Sequence, residues 1–123
     1  MILALAFPFA IAGCSSGSGA LSYEQINGAE AKALMVRESG YIIIDARTQS
    51  EYDEGHIPGA ILVPEYEIAQ RAENELPDKN QLILVYCRSG RRSKIAAEEL
   101  VKLGYTNVKE FGGIIDWEYE IVK

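Results

Sequence analysis

The sequence predicts an α/β domain in which a central parallel sheet of about five strands is covered by helices on both faces. Apolar, β-branched segments of strand length alternate with segments of helical pattern along the chain, which is typical of parallel strands joined by helices. One segment, Gln81–Cys87 (QLILVYC), is almost entirely apolar instead of alternating, as expected for a central strand that is buried on both faces. A length of 123 residues without internal repeats suits a single domain.

The first half of the domain, which starts near Leu21, contains two helix starts with reciprocal caps. In a capping box, a polar side chain binds the N–H three residues further on, and a Glu at that position binds back. Asn27 with Glu30 and Thr48 with Glu51 have this spacing. These signals predict, in order, a helix from Asn27 to about Glu38 that ends at Gly40, the strand Tyr41–Arg47, and a short helix that stops at Gly55.

The second half repeats the alternation of strands and helices. The apolar segments and the spacing of apolar side chains predict the strand Ala60–Pro64, the helix Glu65–Asn74, the central strand Gln81–Cys87, the helix Ser93–Leu103 and the last strand Asn107–Gly113.

Composition and charge exclude several classes of function. Hydrophobic residues make up 48% of the chain and charged residues 24%, a balance typical of globular proteins. The net charge of −6 argues against nucleic acid as the main partner, because binding to phosphates needs a basic face. The basic cluster near Cys87 is therefore a local feature that suits a small anion.

The first 20 residues differ from the rest because they contain no charge. Ile2–Ala12 is an apolar stretch too short to span a membrane, and a box of small residues then precedes Cys14 and a Ser/Gly-rich tether. This pattern resembles a bacterial lipoprotein signal, and it divides the chain into a signal and tether, 1–20, and a domain, 21–123. The resemblance implies lipidation of Cys14, an extracytoplasmic location and membrane attachment only through that anchor. The alternative is an apolar N-terminal helix or strand that packs on the domain.

Cys87 stands where parallel α/β sheets bind ligands, at the carboxyl end of the central strand, with a helix beginning about six residues later. A lipidated Cys14 would leave it without a disulfide partner. Backbone N–H groups, the positive end of the helix and Gly90, which tolerates a positive φ, can form a cradle for an anionic sulfur, and thiolate is the nucleophilic form of cysteine. The alternative is an anion-binding loop whose cysteine is incidental. The residues predicted to bind substrate are Arg88, Ser89, Gly90, Arg91 and Arg92.

Three motifs resemble the rhodanese family of sulfurtransferases in its single-domain form. They are Ile44–Ile61 (IDARTQSEYDEGHIPGAI), the loop Cys87–Arg92 (CRSGRR) and Glu110–Trp117 (EFGGIIDW), and the resemblance covers about residues 21–123. In this family a six-residue loop accompanies sulfur transfer, whereas related phosphatases and arsenate reductases have one residue more. The loop of this chain has six residues.

The resemblance implies that Cys87 attacks the outer sulfur of an anionic donor such as thiosulfate, holds it as a persulfide and passes it to a thiol or to cyanide. It implies no cofactor, and we expect a monomer. One alternative is a persulfide carrier or partner-docking module with little turnover, and a phosphatase or arsenate reductase is disfavoured by the loop length.

Three further polar residues are predicted to support the site. Asp45 and Arg47 end a strand at the same edge as Cys87, where they either position the loop or form a buried polar pair that braces the sheet, and we favour the pair. His56, the only histidine, lies in GHIPGA and is expected to support a turn rather than act as a base. One histidine and one unmodified cysteine make a metal site implausible.

Overall fold

A computed structural model of the protein describes residues 22–123. The predicted signal, the tether and lipidation at Cys14 therefore lie outside the described residues. The strands are β1 (Glu24–Gln25), β2 (Ile42–Asp45), β3 (Ile61–Leu62), β4 (Ile83–Cys87) and β5 (Val108–Gly113). The helices are α1 (Gly28–Arg37), α2 (Gln49–Glu54), α3 (Ile68–Glu75) and α4 (Arg91–Lys102), with short 3₁₀ turns at Glu65–Glu67 and Ile114–Asp116.

The five strands form one parallel sheet in the order β1-β5-β4-β2-β3, which confirms the predicted fold class. All five residues of β4 are buried and the strand lies at the centre of the sheet, as the apolar segment Gln81–Cys87 indicates. In this order every carboxyl end of a strand lies at the same edge, so Cys87 shares an edge with Asp45 and Gly113.

Successive side chains of β4 point to opposite faces of the sheet and supply two separate cores. Ile83, Val85 and Cys87 belong to a core that contains residues of α3 and α4, whereas Leu84 and Tyr86 belong to a core with residues of α1. The burial of both faces of the sheet explains why β4 has no polar alternation.

Both predicted capping boxes are present. The N–H of Glu30 donates to Asn27 Oδ1 at 2.8 Å, and the N–H of Asn27 donates to Glu30 Oε1 at 2.9 Å. Thr48 and Glu51 make the equivalent pair at 3.3 and 3.1 Å, and α2 is capped by Gly55 as predicted.

The structure corrects three of the predicted boundaries. The helix α4 begins at Arg91 and not at Ser93, because Gly90, with φ of 114°, turns the chain directly into the helix. The predicted helix 65–74 is divided into a 3₁₀ turn and α3, and α1 ends at Arg37, short of the predicted end. The strand β1 was not predicted, because two exposed polar residues carry no strand pattern.

Within residues 22–123 no helix combines the length and the apolar character needed to cross a bilayer.

Candidate active site

Cys87 ends β4 and is 1% exposed. The pairing between β4 and β5 is irregular just before it, between Val85 and Cys87, and Cys87 itself pairs with Gly113. The chain then folds back over the sulfur, so that the N–H of Gly90 donates to Cys87 Sγ at 3.0 Å. The strand end and the following turn thus hold the thiol beneath a loop of backbone.

The surroundings of Cys87 favour its ionised form. Burial opposes ionisation, but hydrogen bonds from the hydroxyl and N–H of Ser93 and from the N–H groups of Gly90 and Ser89 hold the pKa of the Cys87 thiol below its ordinary value. The N-terminus of α4 adds the positive end of a helix dipole at the same place. The sulfur is therefore suited to act as a thiolate nucleophile.

These hydrogen bonds change the role expected for the arginines. The sequence predicts that the backbone N–H groups, the helix terminus and the arginine charges together stabilise the thiolate. The groups that lower the pKa of Cys87 include the predicted N–H groups and also the Ser93 hydroxyl, which was not predicted. Arg88 and Arg91 are exposed and form no ion pair within the described part of the chain. Both side chains lie on the solvent side of the loop, where they can bind an anion that arrives from solution.

Arg92 has a different position from the other two arginines. Its side chain is partly buried, and its guanidinium binds Glu51 of α2 through two parallel hydrogen bonds. Because Glu51 also closes the capping box with Thr48, this ion pair links the first turn of α4 to the first turn of α2.

The last strand closes against the cysteine loop at Gly113. A Cβ atom at this position would lie 1.9 Å from the carbonyl oxygen of Arg88 and 2.5 Å from Ser89 Cα. The backbone of Gly113 is extended, with φ of −127°, so the need for glycine is steric. The N–H of Ile115 also donates to the Arg88 carbonyl, at 3.2 Å, so the segment after β5 fixes the shape of the loop.

The structure brings Asp45 and Arg47 together as a buried pair. Arg47 Nη2 donates to Asp45 Oδ2 at 2.7 Å and to the carbonyl of Gly55 at 2.7 Å, and the Tyr86 hydroxyl donates to the same carboxylate oxygen at 2.7 Å. Burial, followed by the Asp45 charge, raises the pKa of Tyr86. Because Tyr86 immediately precedes Cys87, this network braces the sheet edge next to the loop.

His56 supports a turn, as its sequence context indicates. Its ring stacks on Tyr52 with the centroids 3.7 Å apart, and Nδ1 lies 2.9 Å from the carbonyl of Tyr52. Its backbone pairs with Val122 near the end of the chain. Within residues 22–123 these contacts account for the hydrogen bonds of His56, and none of them involves the cysteine loop.

Four residues of this arrangement were not assigned to the site from the sequence. Ser93 and Glu110 are buried polar residues behind the loop, Glu51 anchors Arg92, and Gly113 makes room for Arg88. Sequence signals could have identified two of them, because Glu110 is an acidic residue inside the strand segment NVKEFGG and Gly113 belongs to the glycine pair that ends this segment. Ser93 and Glu51 carry no such signal.

A parallel sheet with a cysteine in an amide-lined loop at its carboxyl edge is suited to an enzyme that carries a group on sulfur. The family model of the rhodanese-like domain matches residues 27–120, and the chain belongs to the rhodanese family.

Similar proteins include sulfurtransferases. The chain is 42% identical over 73 residues to the thiosulfate sulfurtransferase PspE of Escherichia coli, covering 59% of this chain and 70% of that protein. It is 33% identical over 99 residues to the thiosulfate sulfurtransferase GlpE of Coxiella burnetii, covering 80% and 90%. A crystal structure of the thiosulfate sulfurtransferase of Pseudomonas aeruginosa superposes with a TM-score of 0.73 at 30% identity, covering 81% of this chain and 20% of that one.

Proposed function

We propose that this protein is a thiosulfate sulfurtransferase that carries sulfur on Cys87. The observation that carries the proposal is the hydrogen-bonded cradle around Sγ, which favours the thiolate and lies beside exposed cationic side chains. The proteins similar to this chain with this named activity support the choice of thiosulfate.

The reaction has two displacement steps. The Cys87 thiolate attacks the outer sulfur of thiosulfate, a new S–S bond forms, and sulfite leaves with the electron pair of the bond that breaks. An acceptor, either a thiolate or cyanide, then attacks the outer sulfur of the Cys87 persulfide, and the electron pair of that S–S bond returns to Sγ. Each step starts and ends with one negative charge on the cysteine side, which suits a loop that binds an anion throughout.

The two exposed arginines of the cysteine loop can bind the anionic donor. Arg88 and Arg91 are exposed and unpaired among residues 22–123, so their charges can attract thiosulfate to the loop and neutralise the sulfite that leaves. The six-residue loop from Cys87 to Arg92 leaves the space for sulfur transfer that the family resemblance implies.

Mass analysis of Cys87 tests this function. After exposure to thiosulfate, the peptide with Cys87 should gain the mass of one sulfur atom, and thiosulfate:cyanide transfer should turn over. Cys87→Ser should lose both while keeping the wild-type melting temperature, because a hydroxyl has nearly the same size but is not ionised at neutral pH. Persulfide without turnover would indicate a carrier, and hydrolysis of a phosphate ester without a gain of sulfur would overturn the proposal.

We also propose that the protein is anchored outside the cytoplasm by lipid on Cys14. The support is the uncharged apolar stretch Ile2–Ala12, the small residues before Cys14 and the Ser/Gly-rich segment after it. Detergent partitioning in a bacterial host should place the wild type in the detergent phase and Cys14→Ala in the aqueous phase. This expectation assumes more than one acyl chain, since a single chain binds membranes only marginally. Wild type in the aqueous phase would contradict the anchor.

A further inference from the structure

Glu110 is a buried carboxylate directly behind the cysteine loop. It is 1% exposed, and on β5 it pairs with Val85 of β4 and with Gln25 of β1. Its Oε2 accepts hydrogen bonds from Ser93 Oγ at 2.5 Å and from the N–H of Gly112 at 2.8 Å, while Oε1 lies 3.5 Å from Gln25 Nε2. No Lys, Arg or His within residues 22–123 forms an ion pair with it. A buried carboxylate without a counter-charge is costly, so its place behind the nucleophile calls for a functional explanation.

Ser93 connects this carboxylate to the sulfur. The side chain is fully buried in the first turn of α4, and its hydroxyl contacts Glu110 Oε2 at 2.5 Å and the carbonyl of Gly90 at 3.0 Å. The same hydroxyl lowers the pKa of the Cys87 thiol by hydrogen bonding. A hydroxyl has one proton to donate. Glu110 Oε2 is the nearest acceptor to this hydroxyl, so the carboxylate and the thiolate compete for the same proton.

This competition affects how reactive the sulfur is. A thiolate surrounded by donors is well populated, but its nucleophilicity falls as its proton affinity falls. Backbone N–H groups, such as that of Gly90, already donate to Sγ. If Ser93 also donated fully to it, the thiolate would be more stable and slower to attack. A negative charge near Sγ raises the proton affinity of the thiolate and with it the nucleophilicity. In the persulfide, the same charge favours the negative charge on the outer sulfur over Sγ.

We propose that Glu110 is a positioning residue for Cys87, whose buried carboxylate competes with Sγ for the Ser93 proton, limits how fully that hydroxyl donates to the sulfur, and so maintains a reactive thiolate. The proposal deepens the proposed function by assigning the tuning of the same nucleophile. It rests on the nucleophilicity of Cys87, which alkylation measures without any sulfur donor.

Other charged groups face this site from the neighbouring elements. Tyr23, before β1, has its pKa raised by burial and then by Glu98 and Glu110. Lys94 Nζ lies near Gly90, at 3.7 Å from the position that a Cβ atom on this residue would occupy. Arg92 is paired with Glu51. Because these groups are unchanged in a Glu110→Gln variant, that variant isolates the carboxylate charge.

The test is the rate of alkylation of Cys87 by iodoacetamide as a function of pH, in the full chain, with peptide mass spectrometry separating Cys87 from Cys14. Glu110→Gln keeps the shape and removes the charge. We expect the apparent thiol pKa of this variant to fall by about one unit, and the limiting rate at high pH to fall about threefold, which is the ordinary dependence of thiolate reactivity on pKa. Glu98→Gln on the exposed side of α4 removes the same charge from another position and should leave both quantities unchanged.

Ser93→Ala is a second variant, and it should shift the thiol pKa in the direction opposite to Glu110→Gln. It removes a donor from Sγ and leaves the carboxylate in place, so the thiol pKa should rise. In the double variant, Glu110→Gln should shift the pKa much less than it does alone, because the hydroxyl that connects the two groups is absent. An unchanged or raised pKa in Glu110→Gln would overturn the proposal, as would an equal shift with and without Ser93. The alkylation measurements do not depend on whether the wild type transfers sulfur, so the proposed function and the proposed role of Glu110 can fail separately.

Discussion

Arg92 of α4 and Glu51 of α2 bind each other through two parallel hydrogen bonds, Nη1 to Oε1 at 2.8 Å and Nη2 to Oε2 at 2.9 Å. The two side chains are 22% and 24% exposed, so solvent screens the pair only in part. Bidentate geometry of this kind fixes direction as well as distance. The pair therefore joins the helix that follows Cys87 to the helix that follows β2.

Replacing Arg92 with Ala should reduce both stability and kcat. The variant leaves Glu51 without its partner and releases the first turn of α4, and we expect a loss of about 1–2 kcal/mol in the free energy of unfolding. Arg37→Ala is the matched control, because Arg37 forms an exposed pair with Glu38 that should contribute less than about 0.5 kcal/mol. Urea unfolding and thiosulfate:cyanide kinetics measure the two effects. Equal stability of the two variants would contradict this role of Arg92.

The same pair predicts a dependence of stability on pH. The hydrogen bond from Arg92, opposed by burial and assisted by Thr48, lowers the pKa of Glu51 from 4.5 to about 2. A carboxyl group whose pKa is lower in the folded state stabilises the protein above the unfolded value, and this contribution is lost as the pH falls toward about 2. Wild type should therefore exceed Glu51→Gln by about 1–2 kcal/mol above pH 5, after allowance for solvent screening, and the difference should shrink in acid. Urea unfolding at stepped pH tests this, and a difference that stays constant would exclude it.

Gly113→Ala should disrupt the cysteine loop. The new methyl group would overlap the carbonyl of Arg88, and a contact with backbone cannot be relieved by rotating a side chain. We expect a loss of about 3 kcal/mol in stability and at least a tenfold loss in kcat/KM. In Gly28→Ala the methyl group would lie 3.5 Å from the ring of Trp117 in the first turn of α1, so this control should be neutral or slightly stabilising. Thermal melts and kinetics of both variants would decide, and a fully active Gly113→Ala would refute the steric argument.

The exposed arginines should act on donor binding rather than on the chemical step. Arg88→Ala and Arg91→Ala should each raise KM for thiosulfate about three- to tenfold with little change in kcat, because each variant lacks one of the charges that attract the anion. Added salt should raise the KM of the wild type in the same direction and should affect the variants less. Kinetics at low and moderate salt measure this, with Arg37→Ala as the control. Variants whose KM matches the wild type at both salt concentrations would show that these charges are not used.

Local signals predicted most of the fold. The capping boxes at Asn27 and Thr48 act over three residues, and the apolar segment that becomes β4 needs no partner to be recognised. The strand β1 could not be predicted, since two polar residues become a strand only by pairing with β5. The sequence predicts the start of α4 two residues late, because the conformation of Gly90, and not a side-chain cap, begins that helix.

The site was predictable where it follows the chain and not where it depends on distant contacts. Cys87 and the loop after it are adjacent in sequence, so strand, turn and charge were visible together. Glu51 meets Arg92 from 41 residues away, and Glu110 meets Ser93 from 17 residues away. Only the tertiary fold brings these side chains together at one edge of the sheet. For that reason the sequence predicts the backbone N–H groups as stabilisers of the thiolate but not the Ser93 hydroxyl.

The parallel direction of β1 and β4 also determines which way the reactive thiol faces. The chain enters the described domain at Ser22 and Tyr23, beside Val101 and Lys102 in the last turn of α4, whereas Cys87 lies at the first turn of that helix. A helix of 12 residues spans about 18 Å, so the entry point and the thiol lie at opposite ends of α4. A lipid on Cys14 would therefore be joined to the domain at the end far from its sulfur, so the proposed anchor would not need to cover the cysteine loop.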